Sequence, residues 1–194
     1  MTIRLYGSTS GYVDLDAPAV AGSASVTLPG SGTLALTSAL KVLQVVSTTK
    51  TDTFSTSVAS GALSGTVTGL TAAITPASSS NKIFVSVNAT ISLDNTSQVW
   101  LVLYRDSTAI GVGDAARNRA RVSTGIEPND AGAIFNINFS YLDSPATTSS
   151  VTYSIQLRHG SGGTRTMLLN RSNTDTDSNL FSRGASTITA MEIA

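Results

Sequence analysis

Asn81 to Asp106, NKIFVSVNATISLDNTSQVWLVLYRD, decides the fold class. In its first half Ile83, Val85, Val87, Ala89, Ile91 and Leu93 alternate with Ser86, Asn88, Thr90 and Ser92, and only Phe84 breaks the polar row. A period of two puts alternate side chains on opposite sides of a strand, so this half has a core face and a polar face. After the turn Asp94-Asn95-Thr96-Ser97, the second half sets Val99, Leu101 and Leu103 on one face and Trp100, Val102 and Tyr104 on the other. That strand is apolar on both sides. The two halves predict an antiparallel hairpin whose second strand is covered by a second sheet and by something else, such as another copy of the chain.

Similar patterning recurs downstream. Phe135, Ile137, Phe139 and Tyr141 oppose Asn136, Asn138 and Ser140, while Val151, Tyr153, Ile155 and Leu157 oppose Thr152, Ser154, Gln156 and Arg158. The intervening Asp143 to Ser150 suits a connection between antiparallel neighbours. Candidate strands are Val42 to Val46, Asp52 to Val58, Thr66 to Ile74, Lys82 to Leu93, Gln98 to Arg105, Ala109 to Val112, Arg119 to Thr124, Ala133 to Leu142, Val151 to Arg158, Thr166 to Asn170 and Ser186 to Ile193. Turn-rich pieces such as Pro76 to Asn81 and Gly160 to Gly163 separate them. Many short strands at this spacing predict an all-β, antiparallel two-sheet jelly-roll sandwich. Ala109 to Arg121 is the one place where a helical turn could hide.

Composition agrees. More than a quarter of the residues are Ser or Thr, and Lys and Glu are almost absent, which favours strands over helices. Charged residues make up 12% and balance at twelve against twelve, so no net field recruits nucleic acid or an anionic membrane. The absence of cysteine excludes disulfides, thiolate metal sites and a thiol nucleophile. No basic segment leads into an apolar run at the start, and no apolar stretch reaches 18 residues, so the expectation is a soluble chain made in a cytoplasm, without membrane insertion. Residues 1–38 are punctuated by Gly7, Gly11, Gly22, Gly30, Gly32, Pro18 and Pro29, with short beads at Tyr12-Val13, Val26-Thr27-Leu28 and Leu34-Ala35-Leu36. They bury too little to fold alone, and read as an extended N-terminal arm before a β head at 39–194.

Three stretches carry a family likeness: GYVDLDAPAVAGSASVTLP, ITPASSSNKIFVSV, and TYSIQLR followed by NRS and STITAMEI. The chain resembles bacteriophage virion proteins of the marine and cyanobacterial phage type, described as tail fibre or virion structural proteins. The resemblance implies an arm that attaches to other virion proteins and a jelly-roll head, similar to the tumour-necrosis-factor and C1q style, that assembles as a homotrimer. It places the protein in the virion without choosing among tail fibre, neck appendage, capsid decoration and host-glycan-binding lectin. In the last strand the apolar phase slips from Ile188 and Ala190 to Met191 and Ile193, as suits a strand between its own core and a symmetry axis.

No catalytic constellation stands out. His159 is the single histidine, beside a Gly-Ser-Gly-Gly turn, and reads as an ordinary loop residue; no GxSxG elbow occurs, and Asp14 and Asp16 lie in the arm. No acid pair of the glycosidase kind is evident, so the chain reads as a non-enzyme with no cofactor. Asn173 to Asn179 places oxygen ligands at alternate positions, as calcium loops begin, with Asp175 and Asp177 the carboxylates. Leu180 and Ser186 then stand where the helix-loop-helix calcium motif needs Gly and Glu, so a solvated loop is the better reading and no metal is assigned. Arg117, Arg119 and Arg121 alternate and offer bidentate donors to anionic sugars of a host surface polysaccharide. Surface arginines paired with Asp114, Glu127, Asp130 and Asp175 are the plainer alternative. No phosphate-tracking cluster interleaved with aromatics points to nucleic acid.

Overall fold

Runs of alternating apolar residues become strands, and the described residues contain no helix. The computed structural model describes residues 2–6, 12–16, 41–94, 97–127, 130 and 133–194. The chain divides into two compact units, Met1–Ala39 and Leu40–Ala194. In the first, β1 (Thr2–Tyr6) and β2 (Tyr12–Asp16) pair antiparallel from Thr2↔Asp16 to Tyr6↔Tyr12. This hairpin was not foreseen, because strands of five residues are too short for a periodic signal. The beads at Val26-Thr27-Leu28 and Leu34-Ala35-Leu36 lie outside the described residues.

The second unit holds β3 (Val42–Lys50), β4 (Phe54–Val58), β5 (Leu63–Ile74), β6 (Lys82–Leu93), β7 (Val99–Arg105), β8 (Thr108–Ile110), β9 (Thr124–Ile126), β10 (Phe135–Asp143), β11 (Val151–His159), β12 (Arg165–Leu169) and β13 (Ser186–Ile193). They form two antiparallel sheets. In the first, β6 pairs on one side with β10, and on the other with β13 and then β12. Because β3 pairs with β13 and β4 with β12, each of these two lines of strand is one lane broken in the middle. In the second sheet β11 lies between β5 and β7, and β8 and β9 share the far edge of β7. Counted as lanes in chain order, the sheets run 1-8-3-6 and 2-7-4-5, the two interlocked Greek keys of an eight-stranded jelly roll.

This topology corrects two expectations. The hairpin predicted for Asn81 to Asp106 does not form, since β6 and β7 lie in different sheets, and β10 and β11 are likewise not neighbours. Alternation reports which face of a strand is buried, and says nothing of which strand lies beside it. The tight hairpin of this unit is β7–β8, closed by Arg105↔Thr108 with Asp106 in the left-handed region at φ 51°. The candidate strand at Arg119 to Thr124 is instead irregular chain leading into β9.

Between the sheets lies a continuous core that includes Leu70, Ile83, Ile91, Leu101, Ile155 and Leu169, with Tyr153 the largest fully buried side chain. One open side is closed by side chains of edge strand β3: Thr48 Oγ1 donates to the Thr71 carbonyl and Gln44 Nε2 to the Thr75 carbonyl, each at 2.7 Å.

Candidate interaction surfaces

The first sheet turns a whole face away from the core. Since paired residues share a face, the register stacks outward side chains in rows across β3, β13, β6 and β10. One row is Thr49, Thr187, Asn88 and Asn138, and the next is Ser47, Thr189, Ser86 and Ser140. A third is Val45, Met191, Phe84 and Leu142, with Ile193 beyond it beside Lys82. Val45 is 54% exposed and Leu142 46%, and Val42 and Leu43 extend the apolar end along the edge strand. Lys82 is the one charged residue in these rows. Some polar members already bond to each other, Ser47 Oγ with Thr189 Oγ1 at 2.8 Å and Asn136 Nδ2 to Asn88 Oδ1 at 2.8 Å.

The slip of phase read in the last strand is therefore real in three dimensions. Ile188 and Ala190 point into the core while Met191 and Ile193 stand on opposite faces from their even-numbered neighbours, Met191 and Ile193 both outward. The second apolar face predicted for β7 is different: Val102 is only 3% exposed although it lies outside the core between the sheets. Trp100 packs so closely on Gly125 that a Cβ there would sit 2.2 Å from its Cδ1. The chain thus covers much of β7 itself.

The loops that hold Arg117 to Arg121 and Asn173 to Asn179 are both excursions from a broken lane. Residues 111–123 leave between β8 and β9, and the chain is stitched back where Ser123 N donates to the Leu101 carbonyl and Ser123 Oγ accepts from Leu103 N. Arg117, Arg119 and Arg121 all lie exposed on this excursion, with Arg117 at φ 53°. Arg121 Nε donates to the Gly113 carbonyl at 2.7 Å, whereas no described side chain pairs with Arg117 or Arg119. The neighbouring Pro128, Asn129 and Ala131 lie outside the described residues.

Residues 170–185 leave between β12 and β13, and Asn170 builds the exit. It is fully buried at φ 62°; its Nδ2 donates to the carbonyls of Lys50 (2.8 Å) and Asp52 (3.0 Å), and its Oδ1 accepts from Ser186 Oγ (2.6 Å). Asn tolerates the left-handed backbone that the exit demands, and its amide fills the gap in both broken lanes at once. Beyond it, Asp175 binds Arg171 (3.2 Å) and Arg183 (2.6 Å), and Arg171 also donates to the carbonyls of Ser172 and Asn173. Both Asp175 oxygens are taken by guanidinium groups, so the calcium pattern at Asp175 and Asp177 is here an arginine clamp. Among the described residues no group of three or more His, Asp or Glu side chains could hold a metal ion. The loop frames a cleft lined by Asp177, Ser178, Phe181 and Arg183, with Leu180 80% exposed nearby.

Three buried polar groups went unrecognised in the sequence. Asp143 accepts Arg105 Nη1 on both oxygens at 2.9 Å and the Tyr153 hydroxyl at 2.7 Å, tying β10 in one sheet to β7 and β11 in the other. Burial, then donation to Asp143, pushes the Tyr153 phenol far above its ordinary range. Glu192 is fully buried with no cation against it; Gln44 Nε2 (2.5 Å), Asn81 Nδ2 (2.6 Å) and Ala77 N (2.7 Å) donate to it. Burial works to raise its pKa, and these donors outweigh burial and hold it below the usual carboxylate value. His159 is not a loop residue: it ends β11 fully buried, with Nε2 3.3 Å from Ser97 Oγ and no partner on Nδ1. Ser97 Oγ donates to the Ser161 carbonyl, and without a carboxylate on Nδ1 the pair lacks the orienting member of a triad.

No protein-family model matches the sequence, and no curated protein matches it. Among solved structures, the chain is similar to the protein of T=1 particles derived from infectious bursal virus, with a TM-score of 0.43 and 12% identity. The match covers 98% of this chain and 44% of that one, so this chain spans less than half the length of the particle protein.

Proposed function

We propose that the chain is a non-enzymatic structural protein of a bacteriophage virion, a homotrimeric tail or neck fibre or appendage that attaches by residues 1–38 and projects its jelly-roll head. The observation that carries the self-assembling part is β13, which places Ile188 and Ala190 in the core and Met191 and Ile193 on the outward face. An apolar strand face that the chain leaves uncovered, unlike the second face of β7, marks a contact with another copy. The phage assignment is supported by the sequence resemblance, and a mechanical role by buried carboxylates committed to structure: Asp143 ties β10 to β7 and β11, and Glu192 ties β13 to β3 and to the chain before β6. Electron microscopy of intact virions with labelled antibody against the head tests it. Label on tail or neck is expected; label on the capsid shell moves the protein to a decoration role, and unlabelled particles refute a virion role.

The excursion 111–123 favours one additional reading, host adsorption by polysaccharide binding. Arg117 and Arg119 present guanidinium groups to solvent on a loop anchored to a rigid sheet, where side chains can vary without cost to the core. Such polar sites bind weakly one at a time, and three copies would gain by avidity.

A further inference from the structure

We infer that the outward face of the β3–β13–β6–β10 sheet is the surface on which a second copy of this chain packs. The inference rests on the self-assembling reading above and adds where the contact lies. Val45, Met191, Phe84 and Leu142 form one unbroken row across all four strands, lengthened by Ile193 and Leu43. Among the described residues, four of the seven large apolar side chains left exposed, Val42, Leu43, Val45 and Leu142, cluster at this end of this sheet, with Leu63 and Leu180 set elsewhere and Tyr141 on the other face of β10. Apolar side chains scattered singly need no explanation, but a row of this length on one face marks an interaction site.

The chemistry of the other rows identifies the occupant as the same chain. Apart from Lys82, every polar side chain on the face is a hydroxyl or a primary amide, and both groups donate and accept hydrogen bonds. Where copies of this face converge on a symmetry axis, such groups pair with their own kind and set no like charges together. Had it carried carboxylates or guanidinium groups, a second copy would bring like charge against like, and the natural occupant would be a partner of opposite sign. A shallow groove lined by Ser86, Asn88, Asn138, Ser140 and Thr187 runs beside the apolar row and gives these groups room to engage a neighbour. The outward face of the other sheet offers no such row, because Val102 is already covered and Trp100 packs on Gly125.

The test uses the full chain and sedimentation over a range of concentrations. Val45→Asp/Leu142→Asp changes two exposed positions, so circular dichroism and thermal melting of the dissociated subunit should stay native-like, while the dissociation constant of the assembly rises at least 100-fold. Leu63→Asp, an exposed apolar site on the other sheet, should leave assembly unchanged. Because the chain contains no cysteine, a single Val45→Cys provides a readout independent of disruption. Its maleimide labelling should slow at least tenfold on assembly relative to Leu63→Cys. A native chain that assembles while the double variant assembles equally well, with Val45→Cys labelled as fast as Leu63→Cys, overturns this face and leaves self-assembly standing. A native chain that stays monomeric at every concentration measured overturns both.

Discussion

Asn170 is the residue whose replacement should show most clearly how the broken lanes are held. Its side chain makes three hydrogen bonds, to the Lys50 and Asp52 carbonyls and from Ser186 Oγ, those with Lys50 and Ser186 buried and that with Asp52 part-buried. At about 1 kcal/mol each, their loss in Asn170→Ala costs roughly 3 kcal/mol, and more if the carbonyls are left dry. Alanine in the left-handed region adds about 1–2 kcal/mol, for a total near 4–5 kcal/mol. Asn170→Gly loses the same bonds without that backbone strain, offset in part by the ~0.5–1 kcal/mol that glycine loses in chain entropy. Glycine should therefore be the less damaging by roughly 0.5–1 kcal/mol. Urea unfolding at fixed protomer concentration measures both, and limited proteolysis should show residues 171–185 cut first in each variant. An alanine variant within about 1 kcal/mol of native, or a glycine variant less stable than the alanine one, would refute the stitch.

The Asp143 cluster predicts that Asp143→Ala lowers unfolding free energy by about 3–5 kcal/mol, because Arg105 and the Tyr153 hydroxyl lose their shared partner. Tyr153→Phe removes one bond to a charged group and should cost about 1.5–3 kcal/mol, read from the same denaturation curves. Glu192 gives a pH signature. Its folded pKa lies below its unfolded value, so its contribution is full above about pH 4.3, the unfolded value, and is lost as pH falls through the folded pKa. Glu192→Gln should flatten the acid limb of stability against pH and cost about 1–3 kcal/mol at pH 7, since an amide donor then faces the Gln44 and Asn81 donors; an unchanged acid limb contradicts this. Arg117→Ala/Arg119→Ala/Arg121→Ala should leave stability within about 0.5 kcal/mol, while whole-cell binding by the assembled head falls. Equal binding by native and triple variant removes the adsorption site from this loop.

Much of the sandwich was legible because burial leaves a period-two record. The odd-numbered residues of β6 from Ile83 to Leu93 are core, as their alternation with Ser86 and Asn88 indicated. Pairing left no such record: β6 and β7, adjacent in sequence, belong to different sheets because the edges of β6 are taken by β10, β12 and β13, two of them from the end of the chain. Nor could the breaks in the lanes be seen, since Asn170 is one amide among many until Lys50, Asp52 and Ser186 converge on it. The apolar outward row was half visible. Phe84 stood out as the one break in a polar row, and Met191 and Ile193 as a slip of phase, but only the register aligns them with Val45 and Leu142. Arg117, Arg119 and Arg121 alternate as a strand would, yet lie on irregular chain, so their spacing carried no geometric meaning.

The mass of the purified chain in solution tests the central claim most directly. Sedimentation equilibrium or light scattering at micromolar protomer concentration should return about three times the subunit mass of 19.9 kDa, and Ile193→Asp should lower that mass before it lowers the melting temperature of the subunit. A native mass of one subunit at every concentration measured would contradict it.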